Sequence, residues 1–281
     1  MRVFVTGATG FIGSAVVREL IGAGHTVVGL TRSDNGAAAL KEAGAEVHRG
    51  ALDDLDSLHR GAAAADGVIH LAFQFDISDF ATPGQIDLRA VETMGAALKG
   101  TGSPLVITGH YNGEASENAA IALAGVGVRS SVVNLSPSVH GEGDKGFVPM
   151  LINIARMKGV SAYVGDGSNR WTAVHRLDAA SLFRLALEVA PAGSRLYGIG
   201  DEGVPFRDIA SVIGRHLNLP VVSISREEAN AHFGTFGTLA AFDVSVAFDA
   251  QRSSAQTREL LGWRPVHPAL IPDIEEHYFN T

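Results

Sequence analysis

The sequence predicts an α/β fold in which a doubly wound parallel sheet is covered by helices on both faces and is followed by a smaller C-terminal lobe. Two observations lead to this prediction. Short apolar runs alternate with amphipathic stretches over the first half of the chain, and these runs are apolar on both faces, as buried parallel strands are. Of the 281 residues, 46% are hydrophobic and 19% are charged, a balance that builds a folded core and excludes global disorder.

The first half of the chain reads as alternating strands and helices. The predicted strands are Arg2–Thr6, Thr26–Thr31, Glu46–His48, Gly67–Leu71, Leu105–Thr108 and Arg129–Leu135. The predicted helices between them are Ile12–Ile21, Ala37–Ala43, Leu55–Ala64, Gln85–Leu98 and Glu117–Ala124. This alternation assigns residues 1–135 to one α/β domain.

The pattern loosens after Leu135, which predicts a second lobe over residues 136–281. Its predicted helices are Phe147–Met157, Leu177–Val189 and Val204–Leu217, and its predicted strands are Ser161–Asp166 and Val221–Ser225. The segment at about 172–200 is expected to pack back on the first domain. Residues 236–256 match no element.

Charge and residue usage exclude several classes of protein. Thirty acidic residues against 22 basic ones give a net charge of −8, and no Lys/Arg cluster is present that could neutralise a run of phosphates, so nucleic acid is not an expected partner. The chain has no cysteine, which excludes disulfides, thiolate metal sites and cysteine nucleophiles. The N-terminal residues reach Gly7 without the apolar core of a signal peptide, and no charge-free apolar run reaches about 18 residues. We therefore expect a soluble, cytoplasmic protein that does not bind membranes.

The segment TGATGFIG, Thr6–Gly13, places three glycines between the first strand and the first helix. Gly7 permits a tight turn, Gly10 lets the backbone approach a pyrophosphate, and Gly13 allows the helix to pack closely. The start of the helix offers free N–H groups and a positive dipole to phosphates. This context predicts a Rossmann-type dinucleotide site whose turn residues are Gly7, Thr9, Gly10, Phe11, Ile12 and Gly13.

Further segments share a pattern with one superfamily. They are the Gly-x-x-Gly-x-x-Gly spacing of TGATGFIG, GVIHLAF (67–73), SPSVHGEG (136–143), TAVHRLDAASLFRLAL (172–187) and LGWRP (261–265). Together they resemble the short-chain dehydrogenase/reductase superfamily, in its extended or atypical branch of epimerase/dehydratase-like proteins. The resemblance implies cofactor contacts from the turn Leu71, Ala72 and Phe73 and from Ser136 and Ser138. It is also compatible with a homodimer.

The end of the second predicted strand indicates which dinucleotide binds. An acidic residue there would bind the ribose 2′-hydroxyl of NAD, but this chain has Arg32 followed by Ser33. A guanidinium and a hydroxyl suit a 2′-phosphate, so NADP is favoured over NAD, although the neighbouring Asp34 weakens the inference. The resemblance places a residue after the third strand against the adenine ring, and Leu52 holds that position.

The catalytic residues of the superfamily are absent. Most members use a Tyr-x-x-x-Lys pair, in which the lysine lowers the tyrosine pKa, and no such pair exists in this sequence. The connection after the LVIT strand is also shorter than the family norm, either because the loop is short in this branch or because a segment is missing from this chain. His110 and Tyr111 lie at this point, where open α/β sheets bind ligands, and they are the predicted acids. Thr108 is the third candidate, as the hydroxyl residue of the strand.

Candidate substrate contacts come from aromatic and histidine side chains. An apolar pocket could be lined by Phe73, Phe75, Phe147, Met150 and Trp171, with the alternative that each of these belongs to the core. His140 occupies the position of a tyrosine in the matching turn of the family, which implies either a substrate contact or a polar turn that packs the two lobes together. The eleven histidines show no metal-ligand spacing, so no metal is expected. The resemblance implies structural roles for His175 and Asp178, which open a strand and cap the helix that begins near Ala179.

These features leave three functions open. The first is an NADP-dependent oxidoreductase of the atypical short-chain type, which transfers a hydride between nicotinamide and a small carbonyl, imine or alcohol substrate. The second is a non-catalytic NADP-binding sensor or regulator, which the missing Tyr/Lys pair favours. The third is an NAD-dependent sugar-nucleotide epimerase or dehydratase, which that same absence disfavours.

Overall fold

The computed structural model describes residues 1–73, 81–110, 113–234 and 254–279, which form two compact units. The first unit consists of Met1–Leu135, Ala179–Tyr197 and Thr257–Trp263. The second consists of Ser136–Asp178, Gly198–Gln256 and Arg264–Thr281. No described helix combines the length and the apolar character that crossing a membrane requires.

Strands and helices are numbered here in chain order. The strands are β1 Arg2–Thr6, β2 Thr26–Thr31, β3 Glu46–Arg49, β4 Gly67–His70, β5 Pro104–Gly109, β6 Arg129–Leu135, β7 Ser138–His140, β8 Ser161–Val164, β9 Arg170–His175, β10 Ser194–Gly198, β11 Asp201–Pro205 and β12 Val221–Ile224. The helices are α1 Phe11–Gly22, α2 Asp34–Glu42, α3 Leu55–Ala63, α4 Ala81–Leu98, α5 Glu114–Ala122, α6 Phe147–Lys158, α7 Arg176–Val189, α8 Phe206–Leu217, α9 Arg226–Phe233, α10 Ser254–Leu261 and α11 Leu270–His277.

The main sheet of the first unit has the strand order β10-β6-β5-β4-β1-β2-β3. β1 pairs in parallel with both β2 and β4, and parallel pairing continues outward to β3 on one side and through β5 to β6 on the other. This confirms the predicted doubly wound parallel sheet. The chain order reverses between β1 and β4, so the carboxyl ends of these strands form the switch point at which such sheets bind ligands.

Apolar side chains from the sheet and the helices form the core of the first unit. The β1 residues Val3, Phe4 and Val5 are fully buried, because a central parallel strand has helices on both faces. On one face they pack with residues of α3, α4 and α5 in a core that includes Phe4, Leu58, Val91, Met94, Leu98 and Leu105. The sheet is thereby fixed on both sides of its ligand-binding edge.

The second unit is built on smaller sheets. β9 pairs in parallel with β7 and antiparallel with β11, and β8 pairs in parallel with β12. Its core holds aromatic and branched residues from β9, α6, α8, α9 and α11, among them Val148, Leu151, Trp171, Phe206, Ile213, Phe233, Leu270 and Ile274. This core is separate from that of the first unit, as a second lobe requires.

The structure corrects several predicted elements of the second half. The strands β7, β9, β10 and β11 were not predicted. The helix predicted from Val204 begins at Phe206, because Val204 and Pro205 end β11 and pair with β9. Residues 172–178 lie in the second unit and not with the first, because β9 is hydrogen-bonded to β7 and β11. The returning segment of the first unit is Ala179–Tyr197.

The β1–α1 turn depends on two glycines that approach other backbone closely. Gly7 has φ +66°, and a Cβ there would lie 2.7 Å from the amide nitrogen of Ala72. A Cβ on Gly13 would lie 2.0 Å from the Gly7 carbonyl oxygen, which also accepts the N–H of Gly10 at 2.9 Å. Gly13 is therefore required by the turn itself and not, as predicted, by packing of the helix on the sheet.

We expect Gly13→Ala to lower the free energy of unfolding by about 2–3 kcal/mol, because the added methyl group overlaps the Gly7 carbonyl and the turn must open. Urea unfolding followed by circular dichroism measures this change. Gly22→Ala is the matched control: it lies in the same helix, a Cβ there meets nothing within 4 Å, and we expect it to be neutral or stabilising by up to about 1 kcal/mol. Equal effects of the two substitutions would contradict this account of the turn.

Candidate functional site

A cleft of about 460 Å³ opens at the carboxyl edge of the main sheet, within the size range of small-molecule and cofactor sites. It lies over the switch point between β1 and β4. The residues that line it are Gly7, Thr9, Gly10, Leu30, Thr31, Arg32, Ser33, Gly50, Ala51, Leu52, Leu71, Ala72 and Phe73. The lining comes from the ends of β1, β2, β3 and β4, so it is built from the parts of the chain that the sheet topology brings together.

The predicted cofactor residues of the first unit fall into two groups. Gly7, Thr9, Gly10, Arg32, Ser33, Leu52, Leu71, Ala72 and Phe73 line the cleft. Phe11, Ile12 and Gly13 form the first turn of α1, directly after its N-cap residue Gly10. The N–H groups of a first helical turn have no partner within the helix, so this end of α1 offers donors and a positive dipole to an anion.

The β2–β3 side of the cleft carries positive charge. Arg32 is exposed and, among the described residues, makes no ion pair. Ser33 is the N-cap of α2, and its hydroxyl oxygen accepts the N–H of Gly36 at 3.1 Å. The carboxylate of Asp34 is paired with the guanidinium of Arg49. The negative charge of Asp34, which weakened the sequence argument for NADP, is therefore paired within the protein. Because the pair is exposed, it is weak.

The β4–β5 side of the cleft carries the histidine predicted as an acid. The ring of His110, directly after β5, lies against the ring of Phe73, with a centroid distance of 3.9 Å and an interplanar angle of 35°. The side chain of His110 is 15% exposed. Thr108, the other candidate of this strand, donates its hydroxyl to the carbonyl oxygen of His70 at 3.3 Å. Tyr111 and Phe75 lie outside the described residues.

A line of polar side chains runs through the core from the turn to His110. Nδ1 of His70 lies 2.7 Å from the hydroxyl of Thr6, and its Nε2 lies 3.0 Å from Oδ1 of Asp87. Oδ2 of Asp87 lies 3.0 Å from Nε2 of His110. The elements β1, β4, α4 and β5 each place one member. His70 and Asp87 are buried, so these groups must satisfy one another.

Asp87 stays ionised despite its burial. Burial by itself raises the pKa of this carboxyl group, but hydrogen bonds from His110 and His70 lower it, together with the charge of His70 and a hydrogen bond from Ser116. The net result is a pKa well below the ordinary value. A permanent carboxylate beside His110 fixes which ring nitrogen carries a proton and stabilises the protonated ring.

Sequence reasoning missed His70, Asp87 and Ser116. The only local signal was His70 itself, since a histidine at the end of an otherwise apolar buried strand needs a polar partner. Asp87 looks like an ordinary polar residue of an amphipathic helix, and its partners are 17 and 23 positions away along the chain. No short spacing connects them.

In the second unit, most of the side chains that were predicted to contact cofactor or substrate are buried. Ser136 and Ser138 are buried, and the hydroxyl of Ser136 donates to the carbonyl oxygen of Gly198 at 3.1 Å. Their contact with a cofactor stays a prediction. Trp171 is 3% exposed and stacks on the half-buried Phe147 at 4.0 Å, so Trp171 belongs to the core, whereas the contact of Phe147 with substrate stays a prediction.

His140, also predicted as a substrate contact, is fully buried in the second unit. Its Nδ1 lies 2.7 Å from Oδ2 of Asp273, and Oδ1 of the same carboxylate lies 2.8 Å from Nδ1 of His277. This arrangement is a second His–Asp–His group, but the ring of His140 has no exposed surface, unlike the ring of His110 in the first unit. The prediction is corrected accordingly, because a ring without exposed surface has no access to substrate.

His175, Asp178 and His267 come close enough to hold a metal ion, but the carboxylate is already engaged. Asp178 accepts the N–H groups of Val266 and His267 and also contacts the His267 ring at 2.7 Å. It therefore tethers the segment before α11 and does not cap a helix near Ala179; α7 begins at Arg176. The structural interpretation accounts for these side chains without a metal.

Comparison with known proteins relates the chain to one family. Residues 3–98 match the model of the NAD dependent epimerase/dehydratase family. The uncharacterized protein C2A9.02 of Schizosaccharomyces pombe is 46% identical over 301 aligned positions, which cover 99% of this chain and 100% of the relative. The 2-alkyl-3-oxoalkanoate reductase of Stenotrophomonas maltophilia is 27% identical over 258 positions, which cover 79% of this chain and 77% of that enzyme.

Solved structures share the fold. A dTDP-glucose 4,6-dehydratase of Streptomyces venezuelae, determined with NAD bound, has a TM-score of 0.74 over 98% of this chain and 95% of its own, at 18% identity. The alignment with the S. pombe protein has 301 positions against 281 residues here, so that relative contains at least 20 positions that this chain lacks. In this chain only residues 110–113 separate β5 from α5.

The second unit should lose stability in mild acid because of His175. Burial and the neighbouring charge of His140 lower its pKa from 6.5 to about 4, so the folded protein keeps this ring neutral while the unfolded chain takes up a proton. The stabilisation is complete above about pH 6.5 and falls as the pH drops towards 4, by about 3 kcal/mol in total. Urea unfolding at pH 7, 6, 5 and 4 measures it.

The variant His175→Gln isolates this contribution. We expect its stability to fall less than that of the wild type between pH 6.5 and 4, by about 2–3 kcal/mol. His59→Gln removes an exposed ring and is the matched control for loss of a histidine. Parallel curves for wild type and His175→Gln would show that the buried ring does not cause the acid sensitivity.

Proposed function

Because this chain belongs to the NAD dependent epimerase/dehydratase family, we propose that it binds NADP in the cleft of the first unit and transfers a hydride between the nicotinamide and a small carbonyl, imine or alcohol substrate. The observation that carries the proposal is the cleft itself, which joins a glycine turn, a helix N-terminus and an exposed arginine at one edge of a parallel sheet. The reductase relative supports a carbonyl substrate.

The topology orients the cofactor in the cleft. The pyrophosphate belongs at the β1–α1 turn, where the first N–H groups of α1 point outward and Gly10 carries no side chain. The adenosine belongs on the β2–β3 side, with Leu52 against the adenine and Arg32 near the ribose. The nicotinamide then belongs on the β4–β5 side, near Phe73 and His110.

The preference for NADP rests on charge. Arg32 and the hydroxyl of Ser33 face the same end of the cleft, and the N-terminus of α2 adds a positive dipole there. A 2′-phosphate is a dianion that gains charge-assisted hydrogen bonds from these groups. Because Asp34 is held by Arg49, its carboxylate is directed to a cation of the protein and is a weaker obstacle to the phosphate.

The chain supplies orientation and a proton. When bound, the cofactor supplies or accepts the hydride at the nicotinamide. Phe73 borders the cleft, excludes water from this side and holds the His110 ring at 3.9 Å. His110 is the acid that protonates the substrate oxygen, with Thr108 and Tyr111 as the other candidates for that contact. The Tyr/Lys pair of the wider superfamily is replaced in this proposal by a histidine.

The second candidate is a sensor that binds NADP without turnover, and the missing Tyr-x-x-x-Lys pair favours it. A sugar-nucleotide epimerase or dehydratase is third, since the same pair is expected there. Fluorescence titration with NADPH and NADH, followed by a panel of ketones and imines monitored at the nicotinamide absorbance, separates these functions. Binding with turnover supports the oxidoreductase, binding without turnover supports the sensor, and no binding of either dinucleotide refutes the proposal.

Arg32→Ala tests the choice of cofactor. We expect it to weaken NADPH binding roughly ten- to hundredfold, the effect of losing one or two charge-assisted hydrogen bonds, and to change NADH binding by less than about threefold. The measurement is the Kd of each dinucleotide by fluorescence. Arg18→Ala removes an exposed guanidinium from α1 in the same unit and controls for the loss of net charge. Equal losses of affinity for NADPH and NADH would show that Arg32 does not determine the preference for NADP.

A further inference from the structure

The hydrogen bonds along the buried line from Thr6 to His110 limit where its protons lie. The Thr6 hydroxyl oxygen accepts the N–H of Ala72 at 3.3 Å and lies 2.7 Å from Nδ1 of His70. Whether or not Nδ1 of His70 is protonated, its Nε2 lies 3.0 Å from Oδ1 of Asp87 and donates its N–H to that ionised carboxylate. The line begins at the backbone of the cleft wall and ends at a carboxylate.

Asp87 receives donors from three elements. His70 on β4 and His110 after β5 each donate an Nε2–H at 3.0 Å, and the hydroxyl of Ser116 on α5 donates as well. An ionised carboxylate can only accept, so a hydrogen bond to it requires a proton on Nε2 of His110. Proton exchange by the His110 ring must therefore occur at its other nitrogen, Nδ1.

The edge of the ring that carries Nδ1 faces the start of α5. A Cβ on Gly113 would lie 2.9 Å from Nδ1 and 2.8 Å from Cε1 of His110. Gly113 itself has φ −85°, which any residue adopts, so the absence of a side chain there leaves room for the ring and is not required by the backbone. Among the residues that the structure describes, Asp87 contacts His110 at Nε2, Phe73 lies on its face and Gly113 lies at its Nδ1 edge.

We propose that Asp87, backed by His70 and Thr6, is a positioning residue that presents Nδ1 of His110 as the proton donor beside the cleft. This inference rests on the proposed function. In carbonyl reduction, the hydride from the bound cofactor forms the new C–H bond, and the C=O π pair takes the proton from Nδ1–H to form O–H. The ring is left neutral, with Nε2–H on Asp87, and in this proposal Nδ1 takes up a proton again before the next turnover; the side chain of His110 is 15% exposed.

The tautomer of His110 can be measured without substrate or cofactor. Long-range ¹H–¹⁵N correlation spectra of the ¹⁵N-histidine-labelled protein distinguish Nε2–H from Nδ1–H rings, and loss of one signal in His110→Gln assigns the ring. We expect the Nε2–H form when His110 is neutral. An Nδ1–H ring in the wild type overturns the proposal, whether or not any variant folds.

Asp87→Asn tests the carboxylate. With the Thr6 O–H donated to Nδ1 of His70, the Nε2–H of His70 keeps the Asn oxygen, so the amide nitrogen faces His110 and can only donate, which forces His110 to Nδ1–H. We expect this switch in the spectrum and a loss of kcat of about 10²–10⁴-fold with KM changed by less than about threefold. An unchanged tautomer with an unchanged kcat overturns the proposal. Asp273→Asn is the matched control, since it makes the same change in the other His–Asp–His group and should leave the His110 signal in place.

Gly113→Ala tests the position of the ring while every hydrogen-bonding side chain of the line is kept. The added methyl group displaces the Nδ1 edge, so we expect a shifted His110 signal of the Nε2–H type and a kcat lowered about tenfold or more, whereas Kd for NADPH stays within about twofold. Glu259→Gln, an exposed change on α10, controls for nonspecific effects. Full activity of Gly113→Ala overturns the role of Nδ1.

If the wild type shows the Nε2–H ring but no turnover with any substrate, the placement of His110 stands and the proposed reaction fails instead.

Discussion

A carboxylate as deeply buried as that of Asp87 must find hydrogen-bond donors inside the protein, and the first unit is arranged to supply them. An unpaired ion in the interior would cost several kcal/mol, so His70, His110 and Ser116 are held in place as firmly as the apolar core. These donors come from β4, from the residue after β5 and from α5. Thr6 on β1 is hydrogen-bonded to His70, so one line of hydrogen bonds runs from the glycine turn through Asp87 to His110.

The sheet and the cleft could be predicted from sequence because their signals are local. Apolar strands, amphipathic helices and the glycines at 7, 10 and 13 lie within short windows, and parallel topology then brings the strand ends together. The buried charge could not be predicted in the same way. Asp87 is one of many polar residues on helix surfaces, and only the three-dimensional path of α4 beside β4 and β5 shows that it faces inward.

In the second unit, by contrast, the sequence predicted few of the strands and few of the side-chain contacts. Strand β7 has only three residues, and the sequence TAVHRLDAASLFRLAL, which contains the end of β9, was interpreted as leading into a helix. The pairing of β9 with β7 and β11 is visible only in the folded protein. His140 was assigned to substrate from its place in a turn, yet it pairs with Asp273, which lies 133 positions later. A sequence motif gives the position of a residue along a strand but not the face of the strand on which its side chain lies. The side chain of His140 lies on a buried face, which the motif could not show.

The proposed histidine acid reverses the electrostatics of the superfamily's tyrosine. A lysine beside a tyrosine favours the anionic phenolate and so lowers the pKa of an acid that is too weak at neutral pH. A carboxylate beside a histidine favours the cationic imidazolium, in a side chain that already exchanges protons near neutral pH. Histidine therefore needs a fixed tautomer more than a shifted pKa, and a buried carboxylate provides it. Under the proposed function, an Asp held between two histidines in the core therefore takes the place of the Tyr-x-x-x-Lys pair that the sequence lacks.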